Sequence, residues 1–579
     1  MTFQVSPGVN TSEIDLTTVI PAVSTSSGAV AGPFEWGPVL SVAQVSNENE
    51  LVSVFGKPTT NTAQTFFTAA NFLAYASDLR VVRAANTASR NAVGNTSAGA
   101  ATAVFCPNEE AYEANTSLNT ISNSFAQARF PGTLGNSLKV SVWANTSSAL
   151  FSAWSYSTLF DKAPGTSYFV SNSFGNATAN DELHLVVVDE TGAISGVAGT
   201  VLEKFANLSK ATNAKNESGE SIYWKDVIFR KSKWVLITGL PYSAAGVAQV
   251  TNWNVAANAT HKFEQTEGVQ TVGENIFTLA GGVSAALTDG DYIDGYDLIG
   301  NAEKVDVQLV MLGAASNTVA LDVIGTIETR KDCVGFLSPA LANAQASDAT
   351  TSIINYRNNW LSNVSSSYAV MDSGWKYQYD KYNDVYRWIP LNGDVAGLCA
   401  RTDTDRDPWF SPAGLTRGQI KNVIKLAYNP TKANRDELYK NGVNPVVSFT
   451  GEGTMLFGDK TLLGRPSAFD RINVRRLFIV LEKSIAKAAR SSLFEFNDEF
   501  TRAQFVNLVE PFLRTVQGRR GIYDYRVVCD ETNNTPEVQD RNEFVGDIYV
   551  KPAKSINFIQ LNFVAVRTGV AFEEVVGKF

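Results

Sequence analysis

The sequence predicts an α+β multidomain protein with a three-layer α/β core, mostly-β material inserted into that core, and a C-terminal α+β domain. Three observations carry this reading. Short apolar strands alternate with helical periods in two separated stretches, near residues 60–85 and again at 305–371. A Ser/Thr/Asn/Gly-rich stretch with period-two alternation lies between them. Two amphipathic helical patterns followed by strand patterns complete the chain after residue 470. A chain of 579 residues is several times a typical domain, so about two to four cores are expected.

Residues 1–25 read as an N-terminal linking arm, with a turn at Pro7-Gly8 and a flexible link at 24–28. Residues 26–88 and 301–400 are expected to form the α/β core. In the first part, residues 62–76 place Phe66, Ala70, Leu73 and Ala74 on one helical face, and residues 79–83 form a buried strand. In the second, residues 305–312, 333–337 and 368–371 read as strands, with helices at 317–331 and 349–361. Residues 89–300 form the inserted β-rich part, with strands at 138–143 and 183–188. Its Asn-x-Ser/Thr triplets are incidental without a secretory signal. Residues 401–579 form a C-terminal assembly domain.

That last part is the most legible. Over residues 474–491, Leu477, Leu481, Ile485 and Ala488 fall on one helical face, while Arg476, Lys483, Lys487 and Arg490 fall together on the opposite one. A second helix over 498–517 is expected to bury Phe505, Val509, Phe512 and Val516, with Gly518 as its C-terminal cap. Strands follow at 525–529 and 555–567; in the latter Ile559, Leu561 and Phe563 share one face.

Composition narrows the function classes. Hydrophobic residues make up 44% and charged residues 18%, as in ordinary globular proteins. No apolar run approaches the ~20 residues that span a bilayer, and the first residues carry neither a basic nor an apolar signal region. These features predict assembly in a cytoplasm and no membrane insertion. Cys106, Cys333, Cys399 and Cys529 are scattered without metal-like spacing and read as buried thiols in a reducing compartment. The net charge of −9 argues against nucleic-acid binding. Charge is unevenly spread, however: residues 1–56 hold five acids and no Lys or Arg, whereas residues 460–526 hold thirteen basic against seven acidic side chains. In an assembling protein such asymmetry favours head-to-tail contacts between copies.

A catalytic site is not evident. His184 lies in a strand pattern and His261 in a polar stretch, neither with Cys or acidic neighbours at ligand spacing. Residues 403–407 (Asp-Thr-Asp-Arg-Asp) resemble a calcium loop, but Pro408 stands where that loop needs Gly and Gly414 where it needs Glu, so they read as a turn or surface acid cluster. Gly451 and Gly453 lack the third glycine of a dinucleotide fingerprint. There is no Gly-x-Ser-x-Gly elbow. No catalytic residue, metal ligand or cofactor is assigned, and the chain reads as a non-enzyme.

Ordered motifs along nearly the whole chain resemble the contractile tail sheath family of bacteriophages. They are Val395-Ala-Gly397 and Ala400-Arg-Thr-Asp403, Pro408-Trp409, Pro412-Ala-Gly414, Val443-Asn-Pro445, the 451–462 stretch, and Ile472-Asn-Val-Arg-Arg476. Nearer the start stand Pro7-Gly-Val9, Glu13-Ile-Asp15, Gly37-Pro38, Phe55-Gly56, Phe130-Pro-Gly132, Gly135-Asn136 and Gly281-Gly282. Cys399 and Asp459 are modest departures, and residues 149–180 match nothing in the family pattern.

The resemblance implies a homo-oligomer of stacked rings forming a helical sheath around a tail tube protein. Baseplate and tail terminator proteins would sit at its ends, in a virion tail assembled in the host cytoplasm. Triggered contraction would drive the tube through the host envelope without nucleotide. Within that frame Val5, Val9 and Ile14 of the arm and Ile559, Leu561 and Phe563 of the last strand are expected to exchange strands between subunits by β-augmentation. Links at 24–28 and 551–554 would absorb the rotation. Arg476, Lys483, Lys487 and Arg490 are expected to face an acidic tube, the alternative being a merely solvated helix face. Two other readings are the sheath of a bacterial injection device and a β-rich adhesin or receptor-binding tail protein.

Overall fold

The computed structural model describes residues 24–95, 100–144, 148–240, 252–263, 274–361 and 364–557. The exchange residues Val5, Val9, Ile14, Ile559, Leu561 and Phe563 lie outside the described residues. The described residues divide into a larger unit, within 24–408 and 412–483, and a smaller one, residues 409–411 and 484–557.

The larger unit is built on a seven-stranded sheet. Its order is Val443–Asn444, Ala369–Asp372, Val334–Leu337, Leu309–Met311, Gly28–Gly32, Leu79–Arg83, Val42–Val45. All neighbours are parallel except the last, an antiparallel edge strand. Helices cover both faces, which is why the central strands are apolar along their length rather than alternating. On one face Val30, Val81, Leu309 and Phe336 meet helices Ala63–Leu73 and Asn392–Asp405. On the other, Val310, Leu312 and Met371 meet Tyr296 and Ile299 of Asp289–Gly300, Val323 of Asn317–Arg330, and Ile353. Gly28 permits a close approach, since a Cβ there would lie 2.5 Å from the Phe72 ring.

Several boundaries differ from the sequence reading. Helix Asp289–Gly300, placed by composition in the insertion, packs on core strand Gly28–Gly32. The sheet also reaches past residue 400, to Val443–Asn444. The expected helix over 349–361 is α-helical only at Ala349–Asn355 and continues as a π turn over Tyr356–Trp360. The expected link at 24–28 is anchored. Ser27 is buried, its hydroxyl donates to Asp78 at 2.8 Å, and its carbonyl accepts from Gln308 and Leu309. Residues 403–407 are not a surface turn: Asp403 and Asp405 belong to helix Asn392–Asp405, and the Asp403 side chain is buried.

The insertion holds a second seven-stranded sheet, wholly antiparallel. Its order is Thr200–Ser209, Glu182–Asp189, Leu138–Trp143, Glu274–Ala280, Val93–Asn95, Ser124–Ala128, Val235–Ile237. Phe125 stacks between Phe277 (4.2 Å) and Trp224 (5.8 Å) on one face. Residues 149–180, which match no family motif, supply part of the cover of the opposite face. Phe151 and Trp154 pack with Trp143, Val186 and Val188, and the Trp154 indole donates to Ser141 at 2.9 Å. Arg83 joins core to insertion: its buried guanidinium donates to the carbonyls of Phe34, Gly37 and Pro131, and burial lowers its pKa to about 10.

His184 is structural. Its Nδ1 accepts from the Asn207 amide at 3.0 Å while Nε2 faces the Lys162 carbonyl at 2.9 Å, so the neutral ring satisfies both partners. Phe160 stacks on it at 4.3 Å. Burial pushes its pKa below the ordinary value. A depressed imidazole contributes stability that is complete above the unfolded value and lost as pH falls. The inserted domain should therefore melt at lower temperature at about pH 5.5 than at about pH 7.5. H184F should weaken that dependence, and an unchanged pH profile in the variant would remove His184 as its source.

Candidate assembly interface

The helix Ile472–Ala489 carries the basic residues singled out by the sequence. Its first part belongs to the larger unit and is buried nearly all round. Arg475 lies between the rings of Phe469 (4.0 Å) and Tyr368 (4.2 Å) and donates to the Tyr368 hydroxyl at 3.2 Å. Arg476 is only 3% exposed. It donates to Asp403 at 2.5 Å and to the carbonyls of Cys399 and Thr25 at 3.2 Å. Burial pushes the Asp403 carboxyl above its ordinary value against the pull of the adjacent guanidinium, and the carboxyl in turn holds the Arg476 guanidinium above its own.

Arg476 is therefore not on an outward cationic face, because helix Asn392–Asp405 covers it. Lys483, about two turns further along the helix, is half-buried and paired with Asp306 and, at 3.6 Å, with Asp332.

In the smaller unit Lys487 in the last turn of the helix and Arg490, which opens the 3-10 turn Arg490–Ser492 after it, are exposed, and neither has an ion-pair partner among the described residues. The second helix, Glu499–Gly518, is N-capped by Asp498, whose carboxylate accepts from the Thr501 amide at 2.8 Å. It buries Phe505, Val509 and Val516, with Leu513 in the place expected for Phe512. Gly518 is the last helical residue rather than a left-handed cap; that conformation falls to Arg520 at φ 67°. Next comes a two-stranded antiparallel sheet, Ile522–Val528 with Asp547–Pro552. It has no further strand on either edge among the described residues. The partner strand Asp547–Pro552 was not anticipated, and it absorbs Lys551, which was expected to lie in a flexible link.

The four cysteines are buried and unpaired. Among the described residues no group of three or more His, Cys, Asp or Glu side chains is placed to hold a metal ion, and no helix is long and apolar enough to cross a membrane.

Comparison with known proteins gives concordant results. Residues 285–462 match the phage tail sheath protein central domain, residues 465–565 the phage tail sheath C-terminal domain, and residues 28–84 the tail sheath protein Gp18 domain III N-terminal region. The tail sheath protein of Vibrio phage KVP40 is 35% identical, with 99% of each chain covered. That of Enterobacteria phage T4 is 34% identical, again with 99% of each covered. Among solved structures, the sheath tail protein of Listeria innocua aligns with a TM-score of 0.51 at 12% identity, covering 92% of this chain and 96% of that one, which is a likeness of fold.

Proposed function

The chain belongs to the contractile tail sheath family of bacteriophages, and from that premise we propose that Lys487 and Arg490 hold the inner tail tube in the extended state. It is a contractile sheath subunit and a virion component. The observation that carries the tube contact is the division of the basic residues. Arg476 and Lys483 are occupied by Asp403, Asp306 and Asp332, while Lys487 and Arg490 are exposed without a carboxylate partner among the described residues.

Exposed ion pairs contribute roughly 0–1 kcal/mol each. Such a contact releases easily in one subunit yet adds up over the many copies of a polymer. Its role is mechanical and non-catalytic: the extended lattice stores the energy, and rotation to a lower-energy packing drives the tube through the host envelope. Baseplate and terminator proteins cap the array, and subunits assemble in the host cytoplasm. Full-length similarity to phage sheaths supports a virion tail rather than a bacterial injection device.

Strand exchange completes this reading. The edges of the Ile522–Val528/Asp547–Pro552 sheet, which carry no further strand among the described residues, suit added strands, with the segments around Val9 and Leu561 as donors.

The double charge reversal K487E/R490E should abolish growth of the polymer on purified tubes at low salt while leaving thermal stability unchanged. Tube-dependent assembly equal to the parent would overturn the contact. Independently, V9P or L561P removes one ladder hydrogen bond per added strand and should stop polymer growth without changing monomer melting. Normal polymers from both proline variants would exclude exchange through these segments.

A further inference from the structure

The larger unit carries an aromatic and cationic surface that no role assigned above uses. Strands Trp375–Asp380 and Val385–Pro390 form a hairpin, extended by Lys425–Leu426 into a three-stranded antiparallel sheet. The alternation of side chains sorts this sheet into two faces. Lys376, Gln378 and Ile389 point inward to helices Ala63–Leu73 and Asn392–Asp405, where Gln378 accepts from Asn71 and Lys376 pairs with Asp394. The opposite face presents Tyr377, Tyr379, Tyr386 and Trp388 as a ladder, with ring centroids 4.7 Å apart for Tyr377–Trp388, 5.6 Å for Tyr377–Tyr386 and 5.3 Å for Tyr379–Tyr386.

This ladder is open to solvent: Tyr379 is 46% and Tyr386 53% exposed, with Ile424 beside them at 56%. Lys425 lies over it, its Nζ 4.9 Å from the Tyr377 ring and 5.5 Å from Trp388, with no carboxylate partner among the described residues. A contiguous aromatic surface has the make-up of an interface core, and the uncompensated cation on it is complementary to an acidic partner.

The opposite side of the same α/β core has the complementary character. Helix Asp289–Gly300 carries four aspartates and no basic residue. Asp291 is engaged with Thr288 and Asn86, and Asp289 with Ser316. Asp294 and Asp297 are exposed, as is Asp322 on the neighbouring helix Asn317–Arg330, and none of the three has a cationic partner among the described residues. Partial burial and then the charges of Asp322 and Asp294 push the Asp297 carboxyl above its ordinary value, so a cation brought to this face is favoured.

We propose that the Tyr377–Tyr379–Tyr386–Trp388 face, with Lys425, docks on the acidic Asp294–Asp297–Asp322 face of a second copy of this chain. The two faces lie on opposite sides of one sheet, so a single copy cannot satisfy itself. Each copy offers one face forward and the other back, a heterologous contact that repeats and generates rings or helices. Apolar area from the rings supplies attraction, and the lysine against three carboxylates fixes orientation. The inference rests on the reading that this chain polymerises with itself, and it names core surfaces distinct from the terminal strands and from Lys487 and Arg490.

The test is self-assembly of the full-length purified chain without tube, read as critical concentration by light scattering and sedimentation. K425E and the pair D294K/D297K should each raise the critical concentration about tenfold or more, and Y386S should do the same. Monomer melting should not change. Combining K425E with D294K/D297K should bring the value back to within about threefold of the parent, a rescue that loss of folding cannot imitate. Parent-like assembly by K425E and Y386S, or additive losses in the charge swap, would overturn the proposal. So would variants that assemble normally and lose only tube binding or binding to a cell-surface glycan. If the parent itself forms no polymer under any condition, the reading of self-assembly fails first.

Discussion

R476A should lower the unfolding free energy of the larger unit by about 3–5 kcal/mol, among the largest effects of any single substitution in the chain. The cause is what remains behind. Arg476 and Asp403 are 3% and 4% exposed at their side chains, and the guanidinium also serves the carbonyls of Cys399 and Thr25. Truncation leaves a carboxylate and two carbonyl oxygens facing a cavity. Arg476 is the ion-pair partner of Asp403 among the described residues, and one of the carboxylate oxygens already has no hydrogen-bond partner. R476M/D403L, which removes both charges and keeps the volume, should recover most of the loss, since a buried pair contributes little over an apolar one. Urea denaturation followed by tryptophan fluorescence measures both. An R476A midpoint equal to the parent's would refute the assignment of Arg476 to the core and return it to the solvent face.

K376M should be comparably costly near neutral pH, at about 3–5 kcal/mol, and its cost should vary with pH. The Lys376 ammonium is fully buried, 2.9 Å from Asp394 and 3.0 Å from the Lys421 carbonyl, and the Tyr75 hydroxyl donates to Asp394 at 3.1 Å. Asp372 lies in the same core, its pKa pushed up to about 8 by burial and, more weakly, by the Asp394 charge. One ammonium thus serves a region holding two carboxyl groups. Without it, Asp394 loses the cation that holds its pKa down against burial, and the folded state prefers the protonated acid. A carboxyl raised in the folded state contributes stability at low pH that is lost as pH rises through its folded value. The penalty of K376M should therefore be smaller at about pH 5 than at about pH 8. Equal penalties at the two values would show that the loss is packing rather than charge.

These two pairs also show where sequence reading stops. Helices 63–73 and 317–330 were legible because each must bury one face, and that requirement writes a 3.6-residue period into the chain. The same logic placed Arg476 with Lys483, Lys487 and Arg490, since they do share a helical face. A helical wheel cannot tell whether that face meets water or another helix. Here helix Asn392–Asp405, far away in sequence, covers its first turns and supplies Asp403. Residues 403–407 hid the same fact from the other side: an acid-rich run before Pro408 has the composition of a turn, yet tertiary pairing holds its first residues helical.

Strand Asp547–Pro552 was missed for a related reason. Ile548, Tyr549 and Val550 favour a strand, but the run is only three residues long and is flanked by Asp547, Lys551 and Pro552, so its extent is specified by its partner Ile522–Val528. The aromatic ladder was equally invisible, because Tyr377, Tyr386 and Trp388 meet only across a hairpin. Lys487 and Arg490 were legible as part of one basic helix face, and they are exposed.

Helical polymerisation in two states is the property on which the functional account depends, and electron microscopy of the purified full-length chain examines it directly. Across a range of salt and protein concentration, with and without tail tubes, the account predicts hollow tubular polymers built of stacked rings: an extended lattice around tubes and a shorter, wider one in their absence. Monodisperse particles that persist under all these conditions, or polymers with a single lattice that tubes do not alter, would contradict it.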